Sequence, residues 1–146
     1  MRVDLVLNGR AAGLEARSDE MLLEALRREG LLSVRATCGI GVCGACTVLL
    51  DGEAVSSCLT LAATAEGREV TTAEGLKASD PVALAFSEGH AFQCGWCTPG
   101  FVLTAKALLA EDPHPSDEAI ARALGGNICR CGSYLRIAEA VRRCAS

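Results

Sequence analysis

The 146-residue chain reads as α+β, a β-grasp unit followed by a four-helix bundle. Three observations lead there: two strand pairs with tight-turn signals before residue 60, a change to helical patterning after Gly75, and nine cysteines, eight of which fall as two sets of four.

In the first half, residues 3–7 alternate apolar with charged or polar side chains, Asn8-Gly9 is a hairpin turn signal, and residues 11–17 read as the return strand. Ser18 is expected to cap a helix with Asp19 and Glu20 in its first turn, Met21, Leu22, Ala25 and Leu26 on one face, and Gly30 as its stop. A glycine-rich cysteine loop follows. Residues 47–50, the Asp51-Gly52 turn and residues 53–57 read as a second hairpin, with Cys46 at its entry and Cys58 at its exit. Residues 69–72 supply a closing strand. Two hairpins, one helix and a last strand make a small sheet with a helix across one face.

In the second half, Pro81 suits the first turn of a helix running toward Gly89, and Thr98-Pro99 can cap and open another that runs to about Ala110. Ser116, followed by Asp117 and Glu118, starts a third that stops at Gly125-Gly126, and a fourth begins near Tyr134. Cys94 and Cys97 lie between the first two helices, and Cys129 and Cys131 precede the last. Two helix hairpins would bring these pairs together at one end of a bundle. The expected domains are residues 1–76 and 77–146.

The net charge of -4, with no long basic run, offers no surface for nucleic acid. No apolar stretch is long enough to span a membrane. An odd cysteine count argues against a secreted disulfide scaffold, and Met1-Arg2-Val3-Asp4 enters a strand pattern without an apolar signal segment, which points to the cytoplasm unless the folded chain is exported with a partner.

Cys38, Cys43, Cys46 and Cys58 read C-x4-C-x2-C followed by a more distant cysteine, the spacing of plant-type 2Fe-2S ferredoxins. Paired C-x2-C knuckles, the usual mark of structural zinc, do not match it. Gly39, Gly41 and Gly44 leave the loop free to curl its N-H groups toward the sulfurs. Cys94, Cys97, Cys129 and Cys131, as C-x2-C and C-x-C, suit a second 2Fe-2S cluster beside the first, though by themselves they could hold zinc. Two such clusters imply one-electron transfer.

The runs Gln93-Cys94-Gly95-Trp96-Cys97-Thr98-Pro99-Gly100 and Gly126-Asn127-Ile128-Cys129-Arg130-Cys131 resemble the second-cluster signatures of the molybdenum hydroxylases, the xanthine oxidase family. With the A-T-C-G-I-G-V-C-G-A-C-T loop around Cys38 and V-T-T-A-E-G-L at residues 70–76, the resemblance covers nearly the whole chain. It is to the separate small iron-sulfur subunit, as in bacterial carbon monoxide, aldehyde and N-heterocycle dehydrogenases. It implies a large partner subunit carrying a molybdopterin cofactor next to the helical-domain cluster, with substrate chemistry in that partner. It also implies that Gln93 hydrogen-bonds the pterin, that the Cys97 and Cys129 side of the cluster faces it, and that electrons leave through the ferredoxin-like cluster toward flavin or another acceptor. Whether a medium subunit carries FAD is left open. The family's commoner continuation is C-R-C-T-G-Y, whereas Cys131 here is followed by Gly132-Ser133-Tyr134.

A free two-cluster ferredoxin and a zinc-stabilised interaction module are the alternatives. Gln93 favours the subunit over a free carrier, and the ferredoxin loop disfavours the zinc module. Phe92, Trp96, Phe101 and Tyr134 gather near the second set and read first as packing. Arg130 reads as a surface or interface side chain, and His90 and His114 lack the cysteine-histidine pairing of a Rieske site. The pairs Asp19/Glu20 and Asp117/Glu118 read as helix N-terminal charges, and Cys144 as a spare thiol.

Overall fold

The structure is a computed structural model that describes residues 1–145. Strand β1 (Arg2–Leu7) turns Val3 and Leu5 inward and pairs antiparallel with β2 (Arg10–Glu15), Val3 opposite Leu14. Asn8 and Gly9 both take positive φ, 51° and 79°, as a two-residue hairpin turn requires. Helix α1 (Leu22–Arg28) buries Leu22, Leu23, Ala25 and Leu26 and stops before Gly30, whose φ is 84°.

The expected Ser18 cap is not formed. Met21 precedes the helix in extended conformation, because residues 20–22 pair with the chain after Cys58: Leu22 N-H donates to the Thr60 carbonyl (2.7 Å) and Ala62 N-H to the Glu20 carbonyl (2.9 Å). Glu20 is therefore not a first-turn charge. It is buried, accepting from the Arg17 amide (2.9 Å) and from Arg28 Nη2 (2.7 Å).

Strands β3 (Thr47–Leu50) and β4 (Glu53–Ser56) form the second hairpin around Asp51-Gly52. Strand β5 (Glu69–Thr71) lies between the hairpins, giving the order β2-β1-β5-β3-β4, parallel to β1 and antiparallel to β3. The Asp51 carboxylate fixes its entry by accepting from Glu69 N-H (2.8 Å) and Arg68 Nε (2.6 Å). Val3, Leu5, Leu14, Leu22, Leu26, Val48, Leu50 and Val70 form the core under α1, together with Cys46 and Cys58.

Four helices follow: α2 (Pro81–Glu88), α3 (Thr98–Glu111), α4 (Asp117–Leu124) and α5 (Tyr134–Ala145). Asp80 caps α2, accepting from Val82 N-H (3.0 Å) and Ala83 N-H (3.1 Å), and also pairs with Lys106 of α3. Ser116 caps α4 as expected, through Ala119 N-H (3.1 Å). Thr98 is instead the first residue of α3 and makes no cap. Phe86, Phe101, Ile120, Ile137 and Val141 form a second core that includes Cys129.

The connection between the halves is tied down. Asn8 accepts from Thr72 N-H (2.8 Å) and donates to Thr72 Oγ1 (3.0 Å), while the Glu74 carboxylate accepts from the Ser33 amide (2.9 Å) and hydroxyl. Among the described residues no helix is long and apolar enough to cross a membrane.

Candidate metal centres

The first cysteine set lies on the loop between α1 and β3 and on the turn after β4. Cys46 and Cys58 are buried in the sheet's core, and Cys38 and Cys43 are half-buried at the rim. Ser57 ties the inner two together, its hydroxyl donating to the Cys46 carbonyl (2.7 Å) from the position next to Cys58. The loop backbone turns its amides onto sulfur: Ile40 N-H and Cys43 N-H point at Cys38 Sγ (3.5 and 3.4 Å), and Ala45 N-H at Cys43 Sγ (3.5 Å). Positive φ at Gly39, Gly41 and Gly44 makes that curl possible. The Cys38 thiol is accordingly lowered to about 6 by the amides of Ile40, Cys43 and Val42. Cys58 is pushed up to about 11, by burial first and then by its hydrogen bond with Cys46 and the charges of Cys46 and Cys38.

The second set is assembled from the α2–α3 connection and the loop before α5. Cys129 is buried, Cys97 half-buried, and Cys94 and Cys131 exposed. Trp96 N-H points at Cys94 Sγ (3.5 Å) and Ser133 N-H at Cys129 Sγ (3.4 Å), and the Cys129 amide donates to the Tyr134 hydroxyl (2.8 Å). Cys97 is pushed up to about 12 by burial and then by Cys129. Cys129 is lowered: its burial is outweighed chiefly by the Ser133 amide and by Cys97. In the chain by itself the core encloses Cys129 and half-covers Cys97, while Cys94, next to Gln93, and Cys131 are exposed. Gln93 is exposed and lines a cavity of about 250 Å³ with Gly132, Ser133, Leu135 and Arg136.

The donor chemistry fits thiolate-held iron-sulfur groups. Amides aimed at sulfur stabilise negative charge there, and two hydroxyl oxygens beside the inner ligands of the second set, Thr98 Oγ1 and Ser133 Oγ, are buried without a partner of hydrogen-bonding geometry. Among the described residues no three His, Cys, Asp or Glu side chains close into a cage for a single ion. The fit therefore rests on the amides and the paired thiols.

The two loops touch directly. Ile128 N-H, one residue before Cys129, donates to the Cys43 carbonyl at 2.9 Å. Asn127, buried, donates from Nδ2 to the Gly44 carbonyl (3.1 Å) and accepts at Oδ1 from Thr104 (3.0 Å). Gly100 of α3 completes the junction, for a Cβ there would sit 2.4 Å from the Gly44 carbonyl oxygen. At the rim, Trp96 Nε1 donates to Thr37 Oγ1 (2.9 Å) under the Arg35 guanidinium, 4.7 Å from the ring centroid. Trp96 is thus a bridge between the halves, where the sequence offered only packing. Phe101 is buried edge-on to Tyr134, with centroids 6.3 Å apart, as packing would have it.

Arg130 is exposed, as are His90, in left-handed conformation after α2, and His114, whose Nδ1 lies 2.7 Å from the Ala145 carbonyl oxygen. Asp117 and Glu118 do occupy the first turn of α4. Cys144 stands apart, 3.5 Å from the Pro81 carbonyl, its thiol raised by burial and by Asp80.

This arrangement defines a two-centre iron-sulfur protein. Residues 5–79 match the family described as 2Fe-2S iron-sulfur cluster binding domain, and residues 72–142 the 2Fe-2S binding domain. The chain is 44% identical to the nicotinate dehydrogenase small FeS subunit of Eubacterium barkeri, over 99% of this chain and 97% of that one. It is 45% identical to the nicotine 6-hydroxylase small subunit of Paenarthrobacter nicotinovorans, over 97% and 87%. Among solved structures, quinoline 2-oxidoreductase from Pseudomonas putida superposes with a TM-score of 0.93 at 40% identity, covering 99% of this chain and 92% of that one. Aldehyde oxidoreductase from Desulfovibrio gigas gives 0.94 at 34% identity, and there the match spans 17% of the longer chain. The chain belongs to the small iron-sulfur subunits of the molybdenum hydroxylase family.

Proposed function

We propose that this chain carries electrons one at a time between a molybdopterin site in a large partner subunit and a flavin or other acceptor. Cys38, Cys43, Cys46 and Cys58 would hold one 2Fe-2S cluster, in a ferredoxin-like unit ending at residue 76, and Cys94, Cys97, Cys129 and Cys131 the other, in the helical unit from residue 77. Each cluster, when bound, supplies a site that accepts and releases a single electron.

The observation that carries this reading is the 2.9 Å hydrogen bond from Ile128 N-H to the Cys43 carbonyl. It joins a ligand of the first set to the neighbour of a ligand of the second, giving a short bonded route between the two. Buried Cys46, Cys58 and Cys129 keep water from the inner sides of both loops. The uncovered edge, Cys94, Cys131 and Gln93, is the place for a partner's cofactor, with Gln93 as the hydrogen-bonding contact to the pterin. Substrate chemistry then belongs to the partner, with this chain supplying ligands and contacts.

The test is the metal content of the complex isolated from its native cell through this chain. About four irons per chain with near-stoichiometric molybdenum is the expected result. Iron without molybdenum would make the chain a free two-cluster carrier, and zinc in place of iron, in a preparation shown not to lose clusters, would end the redox reading. Gln93→Ala should leave both clusters loaded and slow their reduction by substrate. An unchanged rate would remove Gln93 from the contact.

A further inference from the structure

Ser133 stands directly before α5, and its carbonyl accepts from Ile137 N-H (3.0 Å) as the residue before a helix should. A serine there ordinarily turns its hydroxyl onto an amide of the first turn. This one does not. The residue is 6% exposed, and its Oγ makes no hydrogen bond of proper geometry within the chain. A buried hydroxyl left without an acceptor is destabilising, so this one calls for a partner, and sulfur of the neighbouring ligand set is the group at hand. The Ser133 amide already points at Cys129 Sγ, 3.4 Å away, so the residue itself sits beside the second ligand set. The tight turn at Gly132, with φ of 78°, puts it there.

We infer that the Ser133 hydroxyl donates a hydrogen bond to sulfur of the second iron-sulfur centre, at Cys129, and raises the reduction potential of that centre relative to the first. Reduction adds one negative charge, and a donor to sulfur stabilises the reduced form more than the oxidised one. Ser133 is a tuning residue with no part in the substrate reaction. The inference rests on the proposal that Cys94, Cys97, Cys129 and Cys131 hold a 2Fe-2S cluster.

The experiment is a redox titration of the intact complex, followed by electron paramagnetic resonance, for wild type, Ser133→Ala and Ser133→Thr. At the potential that half-reduces the wild-type second centre, Ser133→Ala should lower its reduced-to-oxidised ratio about tenfold, which is about 59 mV for a one-electron couple. The first centre should not move, and Ser133→Thr, which keeps the hydroxyl, should stay within about twofold of wild type. An unchanged ratio in Ser133→Ala, or an equal shift in Ser133→Thr, overturns the inference. If alanine prevents loading, Ser133→Gly replaces it in the titration. Loss of the second signal from both, with threonine intact, would overturn tuning in favour of a structural role. Absence of a second signal in wild type would defeat the cluster assignment itself, a separate result.

Discussion

The side-chain amide of Asn127 spans the two halves of the molecule, donating to the Gly44 carbonyl at 3.1 Å while its oxygen accepts from Thr104 at 3.0 Å. Both bonds are buried, so water cannot replace them easily. Asn127→Ala should cost about 1–3 kcal/mol, measured by denaturant unfolding of the cluster-loaded chain. A change within error of zero would mean that the junction is held elsewhere.

Gly44 and Gly39 separate backbone strain from crowding. Both have positive φ, 71° and 69°, but a Cβ on Gly44 would lie 2.4 Å from the Gly126 carbonyl oxygen, whereas one on Gly39 meets nothing within 4 Å. Gly39→Ala should cost about 1–2 kcal/mol, the left-handed penalty alone. Gly44→Ala should cost more than about 3 kcal/mol and lower the iron content of the purified chain. Equal costs would show that the contact yields freely.

Cys43→Ser and Cys129→Ser should each remove or perturb one paramagnetic signal and leave the other. Cys43 lies at the rim of the first unit and Cys129 in the core of the second, and the link between the loops is a backbone bond that serine preserves. Loss of both signals from either change, with the fold intact by circular dichroism, would break the two-centre assignment.

Asp80 gives a pH dependence. Burial alone would raise its carboxyl, but the Lys106 ammonium and the Ala83 and Val82 amides outweigh burial and leave it below the ordinary 3.8. A carboxyl depressed on folding adds stability above its unfolded value and loses it as pH falls through the lower folded one. The stability difference between wild type and Asp80→Ala should be about 0.5–2 kcal/mol near pH 7, stay level to about pH 5, and shrink below about pH 4. A difference that grows toward acid would contradict the assignment.

Much of this was legible because the signals are local. Asn8-Gly9 and Asp51-Gly52 announced both hairpins, Ser116 announced α4, and the cysteine spacings pointed to the two loops that the fold brings into contact. The start of α1 is not legible, since a Ser-Asp-Glu run looks the same whether its acid caps a helix or is buried against Arg28, eight residues beyond Glu20. The contacts of Asn127 with Gly44 and of Trp96 with Thr37 span 83 and 59 residues. No periodicity encodes them. The exposure of Cys94 and Cys131 likewise depends on how α3 and α5 close over Cys97 and Cys129, which spacing alone does not determine.

The position of β5 bears on how the chain reaches this state during synthesis. The central strand of the sheet is three residues long and the last of the five to be made. Each hairpin can close on its own local contacts as soon as it appears, but the two share no ladder until Glu69, Val70 and Thr71 slide between them. That closure spans more than sixty residues, and Asn8 then latches onto Thr72 immediately behind the inserted strand. Long-range closure of this kind is slow compared with hairpin formation. The cysteine loop of the first half is thus synthesised and waiting before the scaffold that shapes it is complete, and a nascent chain paused before residue 69 would display two hairpins and four thiols without a sheet to order them.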